Sequence, residues 1–332
     1  MNKKVKFGII LGIGLLLIAG LFIAYRILFG APQKQGGSEI FTVGMKQDES
    51  QILDKLKSQG FIRNKLAFNL VLSLTRQHGK ITPGGYNLSK NLSVWQLENK
   101  ITAAPDMKWV VIPEGWRKEQ VGELLTKTFN WSDDELVKWN TVYTKMRIDY
   151  IEGTYFPDTY LIPVNENGLD VANRMARRFD EQFAPYINQF AQQNIVWTTG
   201  IKMASIIQRE AGGKDDMPII AGIMWNRLNQ GMNLEVDATV QYARGKTDTG
   251  WWAPIKPEDI TNIDSPYNTY KYKGLPPHPI DSPGIDAIEA VLHPAETDCL
   301  YYLHDSNRQI HCAKTYEGHQ ANIEQYLEKV EK

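Results

Sequence analysis

The 332-residue chain has almost no net charge: 37 Lys and Arg stand against 38 Asp and Glu, leaving −1. Nucleic-acid binders carry a basic excess or stripe, so this balance argues against a nucleic-acid partner. Cysteine is scarce, with only Cys299 and Cys312. Together with His304, His311 and His319 they match no common zinc spacing, such as two close Cys-x-x-Cys pairs, and no metal is expected. The two cysteines flank a hairpin-like stretch that turns at Asp305-Ser-Asn-Arg308. Outside a membrane a disulfide is permitted there, closing a loop of roughly 14 residues and contributing about 3 kcal/mol. Two free thiols are the alternative, because disulfide geometry depends on the register.

What is present begins at the N-terminus. Lys3, Lys4 and Lys6 precede a run from Phe7 to Tyr25 without a charged residue, which continues past Arg26 into Ile27-Leu28-Phe29. About 20 apolar residues cross a bilayer as a helix. A cleaved signal peptide has an apolar region of only ~7–15 residues, so an uncleaved anchor is favoured. Basic residues on the short side place the N-terminus in the cytoplasm and everything after residue 30 outside. The expected location is the cell (inner) membrane, single-pass.

The length suggests about two domains beyond this anchor. Residues 31–38 are polar and rich in Gly and Pro, a tether. From 39 to 150, strands at 39–43, 86–88 and 109–112 alternate with helices at 50–59, 61–77, 93–99 and 117–128. The pattern strand, x-x-Gly turn, helix occurs twice and suggests two small related α+β modules. Residues 151–332 form a larger α+β region. It has a long amphipathic helix over about 169–193, interrupted near Pro185, and then a dense run of unusual local sequence.

In that run, Thr198 or Thr199 can cap a largely apolar helix that ends at Glu210, before Gly212-Gly213. A carboxylate in a last turn faces the negative end of the helix dipole, and desolvation adds to the effect; both raise its pKa. A carboxyl still protonated near neutral pH is what general-acid cleavage of a glycosidic bond requires. A solvated glutamate at a fraying helix end is the competing reading on spacing alone.

The stretch Met203-Ala-Ser-Ile-Ile-Gln-Arg-Glu210-Ala resembles the catalytic-glutamate helix of the endolytic murein transglycosylases (the MltG or YceG-like family). Further segments match in the same order: Ile223-Met-Trp-Asn226-Arg227-Leu228, then 231–242 as a second helix and following strand. Ser265–Tyr270 and Gly274–Ile280 resemble the signature loop, and Glu152-Gly153 with Phe156–Tyr160 the start of the domain. The resemblance runs from about Glu39 to the C-terminus and includes the membrane helix. Gln208 stands where members often carry an acidic residue, and His278 where glycine is common.

The resemblance implies an α+β architecture: a transmembrane helix, LysM-like glycan-binding module(s) over 39–150, and a catalytic domain over 151–332. It implies cleavage of peptidoglycan glycan strands between N-acetylmuramic acid and N-acetylglucosamine, leaving 1,6-anhydro ends. Nascent strands beside wall-synthesis enzymes would be the target. Glu210 would be acid and then base, and no cofactor is implied. A hydrolase needs two carboxylates ~5–9.5 Å apart, whereas attack by the sugar's own C6 hydroxyl needs one. Asp237 is then a substrate or structural hydrogen-bonding residue. Asn226, Thr239, Tyr242, Tyr267, Asn268 and Tyr270 offer amides, hydroxyls and rings for N-acetyl sugars, and Arg227 a partner for a lactyl or peptide carboxylate. Their plainer roles are core packing, turn satisfaction and a surface salt bridge. A non-catalytic wall-binding scaffold and a hydrolytic muramidase are the competing functions.

Overall fold

The computed structural model describes residues 3–145 and 152–327, with side chains from Phe7 onward. Helix α1 (Lys3–Phe29) contains a 23-residue stretch, Phe7–Phe29, of mean hydropathy 2.7 with none of it buried. By length and composition it can cross a membrane.

Two compact units divide the chain. The first takes residues up to 110 together with 160–165. It holds β1 (Ser38–Val43), α2 (Glu49–Ser58), α3 (Lys65–Thr75), β2 (Gly84–Ser89), α4 (Val94–Ile101), β3 (Met107–Val111) and β4 (Thr159–Pro163). The strands form one sheet in the order β1-β2-β3-β4, and β1 pairs antiparallel with β2 from Ser38↔Ser89 to Val43↔Gly84. Alternation along the strands turns Phe41, Val43, Tyr86 and Leu88 inward. There they meet Leu56, Phe68, Leu72, Leu97 and Ile101 from α2, α3 and α4. Asp48 and Ser93 each close a capping box that starts α2 and α4. The sequence suggests two small related α+β modules over 39–150; in the structure all four strands share one sheet, and residues 117–128 fall in the second unit.

The second unit takes residues 111–159 and 166 onward. It comprises α5 (Lys118–Phe129), α6 (Asp133–Thr141), α7 (Gly168–Gln192), α8 (Trp197–Glu210), α9 (Met217–Asn229), α10 (Asp237–Arg244), α11 (Pro257–Asn262) and α12 (Ile285–Leu292). A hairpin, β5 (Tyr301–His304) with β6 (Ile310–Ala313), and α13 (Tyr316–Tyr326) complete it. Residues 111–145 pack into this unit through contacts such as the Trp116↔Ser282 bridge.

Three local expectations are corrected. Helix α7 runs through Pro185 without a break, because the proline is exposed while Phe179, Phe183 and Phe190 hold the opposite face in the core. Thr198 and Thr199 lie inside α8, which Val196 precedes without a side-chain cap. The strand expected within 231–242 is instead α10: Asp237 opens it, and Ala238 and Tyr242 bury one face at i, i+4 spacing.

Candidate active site

Helix α8 is the spine of the second unit. Ile201, Met203, Ala204, Ile206 and Ile207 are buried against Phe190, Ile220, Met224, Ile288 and Val291. Gly200 lets the helix meet α7, since a Cβ there would overlap the Phe190 ring. Ser205 Oγ accepts from the Ile280 N–H at 3.1 Å. Gln208 Oε1 accepts from the Gly284 N–H at 2.9 Å. Both bonds fasten the loop before α12 to α8. The helix stops at Glu210 because Ala211 turns extended, with φ −69° and ψ 134°.

Glu210 is thereby half-buried at a fixed helix end. Tyr302, in β5, donates its hydroxyl to Glu210 Oε2 at 2.6 Å. Burial pushes the Glu210 carboxyl above its ordinary pKa, and the nearby Asp237 adds to this. The Tyr302 hydroxyl, the Arg209 charge and the Ala238 backbone N–H oppose the rise without cancelling it. Burial and the adjacent Glu210 hold Tyr302 well above the usual phenol range, so it remains a donor. Beside this pair, Tyr270 donates to Asp237 Oδ1 at 2.6 Å. Burial, then the Asp237 carboxylate, move the Tyr270 hydroxyl past its normal range.

The other residues singled out in the sequence take different positions. Asn226 Nδ2 donates to the Thr297 and Cys299 carbonyls at 2.8 and 3.2 Å. Buried Arg227 donates to the carbonyls of Leu300 (2.6 Å), Asn233 (3.2 Å) and Leu234 (2.8 Å), and pairs with Glu235 at 3.2 Å. Both therefore hold the backbone that leads into β5 and Tyr302. Cys299 and Cys312 are joined by a disulfide with Cα atoms 5.8 Å apart, stapling that hairpin. Thr239 and Asn268 are fully buried. Thr239 Oγ1 bonds the Val236 carbonyl and the Thr269 hydroxyl, at 2.6 and 2.9 Å. Asn268 Nδ2 donates to the Ile260 and Ile263 carbonyls, both at 2.9 Å. These two residues set the 265–270 loop that carries Tyr270. Tyr242 and Tyr267 pack ring to ring, centroids 4.8 Å apart. Glu210, Asp237 and Tyr270 are thus brought together, while the other six contact backbone carbonyls and neighbouring side chains.

A family model described as the YceG-like family matches residues 41–325. The chain belongs to the YceG-like family. A protein of Streptococcus pneumoniae serotype 2 (strain D39) named endolytic murein transglycosylase is 26% identical, over 94% of this chain and 63% of its own length. The chain therefore spans less than two thirds of that relative. A Bacillus subtilis (strain 168) protein of the same name is 28% identical, over 94% of this chain and 91% of its own. A crystal structure described as that of a YceG-like protein from Listeria monocytogenes matches with TM-score 0.61 and 26% identity, covering 86% of this chain and 98% of that one.

Several buried or charged residues of the second unit were not singled out from sequence as candidates. Tyr302 is one. Glu152, quoted only as part of a motif, is another: it is fully buried, accepting from the Lys118 N–H at 2.9 Å and the Tyr242 hydroxyl at 3.3 Å. Burial lifts its carboxyl well above the ordinary range. Arg117 lies over the rings of Tyr242 and Trp251, at 4.2 and 4.5 Å, and Arg209 over Trp252 at 4.2 Å. Asp281 is fully buried with neither carboxyl oxygen hydrogen-bonded, and burial raises its pKa strongly. The signal available for Tyr302 was strand alternation in Tyr301-Tyr302-Leu303, which gives a side chain's face but not its partner.

Proposed function

We propose that the chain is a lytic transglycosylase of peptidoglycan glycan strands, with Glu210 as its acid and base. The observation that carries this reading is the Glu210 carboxyl: raised by burial, yet held by one hydroxyl donor at 2.6 Å. A carboxyl shifted in that direction, with a donor to steady its charged form, suits a group that must give up a proton and take it back. In the proposed reaction Glu210 gives its proton to the oxygen linking N-acetylmuramic acid to N-acetylglucosamine, and the C1–O bond breaks. The resulting carboxylate, stabilised by Tyr302, takes the proton of the muramoyl C6 hydroxyl as that oxygen attacks C1. A 1,6-anhydro ring closes, no water is consumed, and Glu210 is again protonated. The names of the pneumococcal and Bacillus relatives support this choice of reaction.

Asp237 and Tyr270, beside the acid, are the side chains we assign to substrate contact. Asn226, Arg227, Thr239, Tyr242, Tyr267 and Asn268 act behind them by fixing the loops. We further assign α1 as a single-pass anchor with the remaining chain outside, and the helix-bearing β1–β2 unit as a LysM-like glycan-binding region. The test is mass spectrometry of fragments released from purified sacculi by the full chain in detergent. Anhydro-ended muropeptides are expected from the wild type, and none from E210Q, which keeps the shape of the side chain but has no acidic proton. Reducing ends, lost in D237N, would instead assign Asp237 as the base of a hydrolase. Wild-type turnover by E210Q overturns the assignment of the acid.

A further inference from the structure

We propose that the first unit rests on the membrane surface where α1 leaves the bilayer and binds anionic phospholipid headgroups there. The proposal rests on α1 being the anchor assigned above. Two independent features of the unit support it. A cavity of 710 Å³ lies between the C-terminal part of α1 and the body of the unit. Arg26, Lys34 and Arg63 line it with Asn91 and Gln96, and no carboxylate does. Arg63 spends one donor on the Pro32 carbonyl at 3.1 Å; Trp95, also lining the cavity, has an indole N–H without an acceptor. Three cations around an acid-free cavity match the charge of a phosphate, which arginine can bind in bidentate fashion.

Helix α3 is the second feature. Ala67, Phe68, Val71 and Leu72 are buried in the core, as an amphipathic helix requires. Leu66, Leu70 and Leu74, spaced i, i+4, i+8 along one line, are nevertheless 78%, 49% and 63% exposed. A leucine stripe in water is unfavourable, and such a stripe marks a contact surface. It begins three residues after Arg63, and α3 packs beside α1. Leucines with flanking cations describe a helix lying in the boundary between headgroups and acyl chains. The alternative occupant, a second copy of the chain, gives no reason for the acid-free basic cavity.

The test uses the full chain carrying L70C labelled with bimane. Both native cysteines are committed to the disulfide and leave no competing thiol among the described residues. In nanodiscs containing phosphatidylglycerol, the bimane emission is expected to shift to the blue and to be quenched by nitroxide-headgroup lipid; in pure phosphatidylcholine both effects are weaker. Each removed cation in R26Q, K34Q and R63Q should raise the phosphatidylglycerol fraction needed for half the shift by about fivefold. Equal emission in both lipids, with the chain incorporated, overturns the site while leaving the anchor intact. Failure to incorporate overturns the anchor and this proposal with it. A shift reproduced by free glycerol phosphate in phosphatidylcholine discs assigns a soluble phosphate instead. A lipid-independent, concentration-dependent shift assigns a second copy, and either result refutes the proposal.

Discussion

Replacing Tyr302 by phenylalanine separates the two influences that set the acidity of Glu210. Burial, the largest, stays; the hydroxyl donor that favours the carboxylate is lost. Hydrogen bonds to charged groups contribute about 1.5–3 kcal/mol, and one pKa unit corresponds to about 1.4 kcal/mol. Ala238 and Arg209 continue to favour the charged form, which places the change near the lower end of that range. The Glu210 pKa should therefore rise by about one unit. On the proposed mechanism the reactive form is protonated, so the alkaline limb of kcat/KM against pH should move upward by the same amount. The plateau should fall by up to about tenfold, since the carboxylate formed on proton transfer loses its donor. Initial rates of anhydro-muropeptide release across pH measure both. The hairpin remains stapled by the disulfide, so loss of fold does not confuse the result. An alkaline limb that stays in place or moves down would refute the view that this hydroxyl stabilises ionised Glu210.

Asp281 is buried with its pKa raised, so the stability it allows at low pH is lost as pH rises through the folded-state value. D281N should therefore raise Tm relative to wild type at pH 8, with the difference fading toward pH 4, as calorimetry would show. G200A should lower Tm, because its methyl group meets the Phe190 ring; overpacking costs about 1–3 kcal/mol. F190L should restore part of that loss. The double variant C299S/C312S, opening a separation of 13 residues, should lose about 3 kcal/mol in denaturant unfolding. It should also lower kcat more than it changes KM, as the hairpin holding Tyr302 loosens.

The parts of this arrangement legible in the sequence were those written locally. The apolar run of α1, the buried face of α8 and its end at Glu210 follow from composition and period. Helix α10 stands where the resemblance implied a strand; an acidic opening at Asp237 and burial of Ala238 and Tyr242 make it helical although Val236, Thr239 and Val240 favour strands. Tyr302 lies 92 residues beyond Glu210, and no local pattern reports such a pairing. Asn226, Arg227, Thr239 and Asn268 show a different ambiguity. An amide or guanidinium has the same character in sequence whether it faces a sugar or a backbone carbonyl, and only the fold shows these four turned to carbonyls and neighbouring side chains.

Those inward-facing groups bear on how an acid of this kind is maintained. Burial alone would give Glu210 a proton that it holds but surrenders reluctantly; donors alone would leave it ionised and unable to act. The two influences must balance within a narrow range, and a hydrogen bond does so only at fixed distance and angle. Tyr302 stands on a short two-stranded hairpin, an element of marginal stability by itself. Asn226 and Arg227 grip the backbone from 297 to 300, and the Cys299–Cys312 bond closes its base. Glu210 itself ends a helix whose preceding turns are buried. Both partners in the 2.6 Å contact are thus held by the interior and not by the contact itself.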